Sequence, residues 1–110
     1  MARNVTKLAT IASGQTASVS VDTDTQLLSG ILFPSAMTGS TVTFKFSTDG
    51  SSWKDVKETD GSAVSYTVSA DDVIRIDPSG WAFASSGYLQ VVSGSSEGAE
   101  RKIVLIFRVS

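Results

Sequence analysis

Residues 41–47 read Thr-Val-Thr-Phe-Lys-Phe-Ser, and Asp49-Gly50 follows directly after Thr48. Apolar side chains at 42, 44 and 46 alternate with polar ones, the period of two that is typical of a strand with one buried face. Glycine accepts the positive φ that a tight hairpin turn needs, so Asp49-Gly50 predicts a reversal into a strand at 52–57. Asp60-Gly61 repeats this pattern and predicts another strand at 63–69.

The rest of the chain continues in the same manner. Short apolar runs are separated by Gly, Asp and Ser at intervals of about 8 to 12 residues, the spacing of an all-β sandwich or barrel. No segment predicts a helix, and 110 residues suit one domain. We predict an all-β, single-domain antiparallel β-sandwich, jelly-roll-like, with about eight strands. Residues 1–12 form an N-terminal arm and first strand, and residues 13–110 the sandwich. Further strands are predicted at 4–11, 16–22, 26–33, 73–77, 88–93 and 102–109.

Composition argues against catalysis and against several partner classes. The chain has no His and no Cys, and a serine nucleophile needs a base that only five Lys could supply. Asp22-Thr23-Asp24 resembles a fragment of a calcium loop but lacks the Gly and the distant Glu. We therefore predict no enzyme, no cofactor and no metal site. A net charge of −2 gives no basic footprint for nucleic acid, and no segment has the length to span a membrane.

The C-terminal run Ile103 to Phe107 is apolar on both faces of its predicted strand. One face carries Ile103, Leu105 and Phe107 and fills the core. The other face carries Val104 and Ile106 and needs a cover. Either a loop or the N-terminal segment lies over these two side chains, or they belong to a subunit interface. With the strands placed in this way, the predicted core contains Phe44, Phe46, Leu89, Val91, Leu105 and Phe107.

Two loops and an aromatic pair are the remaining features. Residues 93–98 (SGSSEG) predict a long, flexible loop that connects the sheets or is displayed, and residues 77–80 (DPSG) predict another loop. Trp81 and Phe83 follow the second loop. Trp81 is either a core residue beneath that loop or the anchor of a partner interface, since large aromatics often dominate interface energies. Exposed Trp and Tyr side chains in a row would instead indicate a carbohydrate-binding module.

A resemblance covers residues 13–109. Its segments are 13–16 (SGQT), 30–36 (GILFPSA), the hairpin 44–53, 73–78 (VIRIDP) and 88–95 (YLQVVSGS). In this order they resemble a group of small tailed-phage virion proteins, β-sandwich or jelly-roll subunits that decorate or cement the outside of the head.

The resemblance implies a structural protein of the virion, made in the host cytoplasm, whose partner is the major capsid protein in assembled heads. The second apolar face of the last strand and the aromatic pair beside a Gly-rich loop further predict a homo-oligomer, a dimer or trimer, with Trp81, Phe83, Val104 and Ile106 as partner-binding residues. The alternatives are a carbohydrate-binding β-sandwich module and a tail or neck component. An interface of apolar strand faces and extended termini, including residues 1–7, favours the capsid hypothesis. A shallow row of Trp and Tyr favours the carbohydrate one.

Overall fold

The computed structural model describes residues 3–109, which form nine strands and one short 3₁₀ helix. The order is β1 (Arg3–Ile11), β2 (Val21–Asp22), β3 (Leu27–Leu32), β4 (Thr41–Ser47), β5 (Lys54–Asp55), β6 (Ser65–Thr67), β7 (Val73–Arg75), the helix (Pro78–Ala84), β8 (Tyr88–Ser93) and β9 (Arg101–Val109). Every strand pairing is antiparallel.

The strands form two sheets. Sheet A has the order β1-β9-β3-β7, and sheet B has the order β2-β8-β4-β5, with β6 also paired to β4. If β5 and β6 are taken as two halves of one position beside β4, this is the eight-stranded jelly roll with its two interleaved Greek keys. The predicted fold class is therefore confirmed.

Both predicted hairpin turns are present. Gly50 and Gly61 have φ of 84° and 90°, in the left-handed region that favours glycine. The flanking strands are shorter than predicted: β5 has two residues and β6 has three, joined beyond their ends by an isolated Lys57–Ala63 bridge.

The predicted strand 16–22 is mostly a corner. Ser18 N–H donates to Val91 O of sheet B, whereas Val19 N–H donates to Thr10 O of sheet A. Neighbouring residues with partners in different sheets cannot form one ladder, so only Val21–Asp22 remains as strand.

The helix is absent from the prediction. The Asp77 side chain accepts a hydrogen bond from Ser79 N–H and caps the helix, and Pro78 begins it. An Asp-Pro pair is a recognised start signal, but residues 77–80 equally suit a turn. The helix closes the sandwich between the edges of the two sheets, with Trp81 and Ala84 buried.

The core lies between the sheets. Most of the predicted core side chains are buried, and Phe46 alone is half-buried because it sits where sheet B meets the helix. Ile103 also has no exposed surface, so the inner face of β9 is as predicted. The buried members of the predicted set are Phe44, Leu89, Val91, Leu105 and Phe107.

The N-terminal segment is part of the sandwich from Arg3 onwards. β1 pairs with β9 over its full length, from Arg3 opposite Val109 to Ile11 opposite Arg101. An extended arm at Arg3 to Lys7 is therefore not what the structure contains. Residues 1 and 2, which belong to the predicted arm, lie outside the described part of the chain.

Candidate interaction surfaces

Four apolar side chains cross the outer face of sheet A in one line. Leu8 of β1 lies opposite Val104 of β9, Val104 lies opposite Leu32 of β3, and Leu32 lies opposite Val73 of β7. These residues are called the apolar row below. Each strand of sheet A contributes one of them, which makes the row as wide as the sheet.

The row is open to solvent at three of its four positions. Leu8 is 52% exposed, Leu32 is 38% exposed and Val73 is 55% exposed, while Val104 between them is half-buried. No described element covers these three side chains. Contiguous exposed apolar surface of more than a few hundred Å² is rare on soluble monomers and usually marks an association site.

Ile106 extends the row by one position along β9. It lies opposite Gly30, where a Cβ atom would stand 3.3 Å from the Ile106 Cδ1 atom. The missing side chain lets Ile106 settle against β3, so Ile106 is half-buried. β9 is thus a central strand, as one interpretation of the sequence expected, but the N-terminal segment runs beside it and not over its second face.

Trp81 belongs to the interior. Its side chain is only 3% exposed, its ring centroid lies 4.8 Å from that of Phe44, and its Nε1 donates to the Tyr66 hydroxyl at 3.2 Å. Of the two interpretations of Trp81, the structure therefore supports the core residue. An interface anchor needs exposed surface for a partner to contact, and the Trp81 side chain has almost none.

Phe83 is the exposed end of an aromatic cluster. It is 54% exposed, stacks on Trp81 with centroids 5.7 Å apart, and meets Phe46 edge-on at 5.6 Å. We call Phe46, Trp81 and Phe83 the aromatic stack. It borders a groove of about 300 Å³ between the edges of the two sheets, and other lining residues are Val56, Val64, Tyr66 and Ile76.

The other aromatic candidates do not form an open platform. Trp53, Tyr66 and Tyr88 are half-buried, so within residues 3–109 no Trp or Tyr is exposed. Tyr88 packs beneath the hairpin turn, with its ring about 3.5 Å from where Gly50 would carry a Cβ. The shallow row of Trp and Tyr that a carbohydrate module needs is not present in this part of the chain.

Glu97 is a buried charge that the sequence did not single out. Its carboxylate accepts hydrogen bonds from Thr38 N–H at 2.8 Å, Gly39 N–H at 2.9 Å and Ser93 Oγ at 2.6 Å, and it pairs with Arg101 Nε at 2.9 Å. We call this group the Glu97 clamp. It joins the loop before β4 to the loop before β9.

The clamp changes the interpretation of residues 93–98. Glu97 is 1% exposed, its N–H donates to Gln15 O, and its carbonyl accepts from Gly14 N–H. The segment connects β8 of sheet B to β9 of sheet A, which is the first of the two predicted alternatives, and it is not displayed, because the clamp holds Glu97 at its centre. Burial alone raises the pKa of Glu97, but the hydrogen bonds from Ser93, Thr38 and Gly39 and the pairing with Arg101 prevail and lower it to about 2.

Three other carboxylates serve local structure. Hydrogen bonds from Ser52 N–H, Ser51 N–H and Ser47 Oγ hold the pKa of Asp49 well below its ordinary value. Asp24 pairs with Lys7, and Asp72 accepts from Ser69 Oγ at 2.7 Å. Across residues 3–109, no three potential ligand side chains gather as a metal site would require.

Comparisons with known proteins give one kind of match. No protein-family model and no curated protein matches the chain. Among solved structures, the fold is similar to the crystal structure of the SPBc2 prophage-derived protein YomS, with a TM-score of 0.62 and 9% identity over 99% of this chain and 96% of that one. At this identity the likeness shows the fold alone. Among residues 3–109, no helix has the length and apolarity to cross a membrane.

Proposed function

We propose that this chain is a non-catalytic structural protein of a tailed-phage particle, a decoration or cement subunit bound to the outside of the head. It is made in the host cytoplasm and binds the major capsid protein in assembled heads. Support comes from the whole-length fold similarity to a prophage-derived protein and from the resemblance of residues 13–109 to small virion proteins.

The observation that carries the proposal is the exposed ring of Phe83 on a fixed aromatic support. Trp81 is held by its hydrogen bond to Tyr66 and by the Phe44 ring, and Phe83 stacks on Trp81. A side chain that is already held in place loses little conformational entropy when it binds a partner. More of the free energy gained by burying the Phe83 ring therefore contributes to affinity than it would for a mobile side chain. The groove beside Phe83 offers room for an apolar side chain of the capsid protein.

A weak single contact is sufficient for this role. A symmetric shell repeats the same site many times, and linked subunits attach far more strongly than each contact alone allows. Catalysis has no such support in the chain: there is no imidazole or thiol, and the Glu97 carboxylate is buried in a clamp. The proposal therefore assigns binding, and no turnover, to the protein.

The test compares Phe83→Ala with Val19→Ala. Val19 is 57% exposed and lies outside the aromatic stack, so its truncation is a matched control for losing exposed apolar surface. We expect the unmodified protein and Val19→Ala to sediment with purified heads, and Phe83→Ala to bind roughly tenfold more weakly. Unfolding curves of the free proteins exclude loss of fold as the cause.

Other outcomes reject the proposal. Failure of the unmodified protein to sediment with heads, together with sedimentation with tails, places it in the tail or neck. Failure with both, together with binding to a glycan array, favours the carbohydrate module. Equal head binding by Phe83→Ala and Val19→Ala shows that the aromatic stack is not the contact.

A further inference from the structure

The outer face of sheet A carries charges at both ends of its strands, beyond the apolar row. Arg75 lies two residues after Val73 on β7, and Arg108 lies four residues after Val104 on β9. Because β7 and β9 both run antiparallel to β3, these two cations lie on the same side of the row. Residues an even number of positions apart on a strand point to the same face, so Arg75 and Arg108 lie on the same face as the row.

Acidic residues lie before the row at matching numbers of residues along the chain, Glu100 just before β9 and Asp71 in the turn before β7, where its φ is 61°. Asp71 precedes Val73 by two residues, held beside Pro34 by a hydrogen bond from its N–H to Pro34 O at 3.1 Å. Glu100 precedes Val104 by four residues and stands directly before β9. Asp71, Glu100 and the two arginines are all exposed, and none forms a salt bridge with another residue in 3–109.

We infer that a second copy of this chain packs on the outer face of sheet A, through a two-fold axis that runs along the apolar row. Such an axis places the apolar rows of the two copies against each other. On each strand, a residue a given number of positions after the row in one copy then faces the residue the same number of positions before the row in the other copy. Arg75 of one copy then faces Asp71 of the other on β7, and Arg108 faces Glu100 on β9. In the dimer, the apolar row of one copy thus meets the apolar row of the other, and the basic end of each outer face meets the acidic end of its partner's.

One cation lies on the acidic side. Lys102 precedes Val104 by two residues, and the same axis brings it over Ile106 of the second copy. The aliphatic stem of a lysine covers apolar surface while its ammonium group reaches water, so this contact adds burial without a like-charge pair.

The size of the face sets the strength of the dimer. With strands about 4.8 Å apart and about 3.4 Å per residue, the nine residues each of β1 and β9, the six of β3 and the three of β7 give roughly 450 Å² per copy. A total of about 900 Å² is near the lower limit for a specific interface. We expect a reversible dimer with a dissociation constant of roughly 10 to 100 μM in solution. The inference does not depend on head binding, because it concerns the purified protein alone.

The test is a charge exchange on β9 followed by sedimentation equilibrium over a concentration series. Arg108→Glu alone and Glu100→Arg alone each place like charges at two symmetric positions, and each should weaken the dimer roughly 5- to 10-fold. The double exchange restores opposite charges and should return the dissociation constant to within about twofold of the unmodified protein. Lys54→Glu, on the edge strand of sheet B, is the matched control and should change nothing.

Several results would overturn the inference. A monomer at every concentration up to the millimolar range removes the dimer. A dimer that the single reversals leave intact lies on another surface. A double exchange that stays as weak as the singles shows that Arg108 and Glu100 do not meet.

Discussion

The outer faces of the two sheets differ in chemistry although they have the same architecture. In sheet B, one line of neighbours is Asp55, Lys45 and Gln90, and Lys45 pairs with Asp55 at 4.0 Å. In sheet A, the corresponding line is the apolar row. An antiparallel sheet with one solvated face normally has polar residues there, as sheet B does. Exposure to water explains the polar outer face of sheet B, and we propose that association explains the apolar row of sheet A.

The two faces of β9 should differ most in their contribution to folding. Leu105 has no exposed surface, so Leu105→Ala should lower the free energy of unfolding by about 2–5 kcal/mol. Val104 is half-buried on the outer face, and Val104→Thr should cost under about 1 kcal/mol in the monomer. Urea unfolding at a concentration below the dimer range measures both. Equal losses would mean that the outer face is also core.

The Glu97 clamp should have the next largest effect, because it fixes the start of β9 and hence one end of the outer face of sheet A. Glu97→Gln should cost about 3 kcal/mol at neutral pH, the value of a pKa lowered from 4.5 to about 2. Since the folded pKa is the lower one, this stabilisation is complete above about pH 4.5 and disappears as the pH falls towards 2.

Unfolding of Glu97→Gln and the unmodified protein should therefore converge in acid. The control is Glu100→Gln, which removes an exposed carboxylate three residues away and should change stability by less than about 0.5 kcal/mol. A constant difference between Glu97→Gln and the unmodified protein from pH 7 to pH 2 would contradict the pKa that the clamp implies.

Exchanging the chemistry of the two outer faces should have the smallest effect on folding. Val73→Thr makes sheet A more polar, and Thr43→Val makes sheet B more apolar. Each should change the free energy of unfolding by about 0.5 kcal/mol or less. Only Val73→Thr should weaken self-association, as measured by sedimentation equilibrium. Weakening by Thr43→Val as well would remove the distinction between the faces.

Sequence patterns within short segments predicted the strands and hairpin turns, which depend on the spacing of neighbouring residues. The alternation at 41–47 and the two Asp-Gly pairs predicted β4 and its hairpins, and the two-faced run at 103–107 predicted a central strand. No single segment of the sequence specifies the register between strands that are far apart in the chain. The sequence marked Val104 and Ile106 but not Leu8, Leu32 and Val73, because these three join the row only through the pairing of four strands.

The same reason explains the errors around the loops. Glu97 lies in a Gly- and Ser-rich segment, and the backbone donors that bury it come from Thr38 and Gly39, 59 and 58 residues away. Trp81 could not be assigned to the core or the surface until Phe44 and Tyr66 were placed around it. Composition described residues 94–98 correctly as a loop but missed the helix that carries Trp81, because tertiary contacts decide how both segments are held.

The claim that sheet A's outer face is where two copies meet is tested most directly by cross-linking on the apolar row. The chain has no cysteine, so Val73→Cys provides a single thiol. In the proposed dimer this position faces its own copy across packed sheets about 10 Å apart, within reach of a short bismaleimide. We predict efficient covalent dimers of Val73→Cys at concentrations near the dissociation constant, and little from Val19→Cys, an equally exposed position elsewhere. Equal yields from the two variants would contradict the claim.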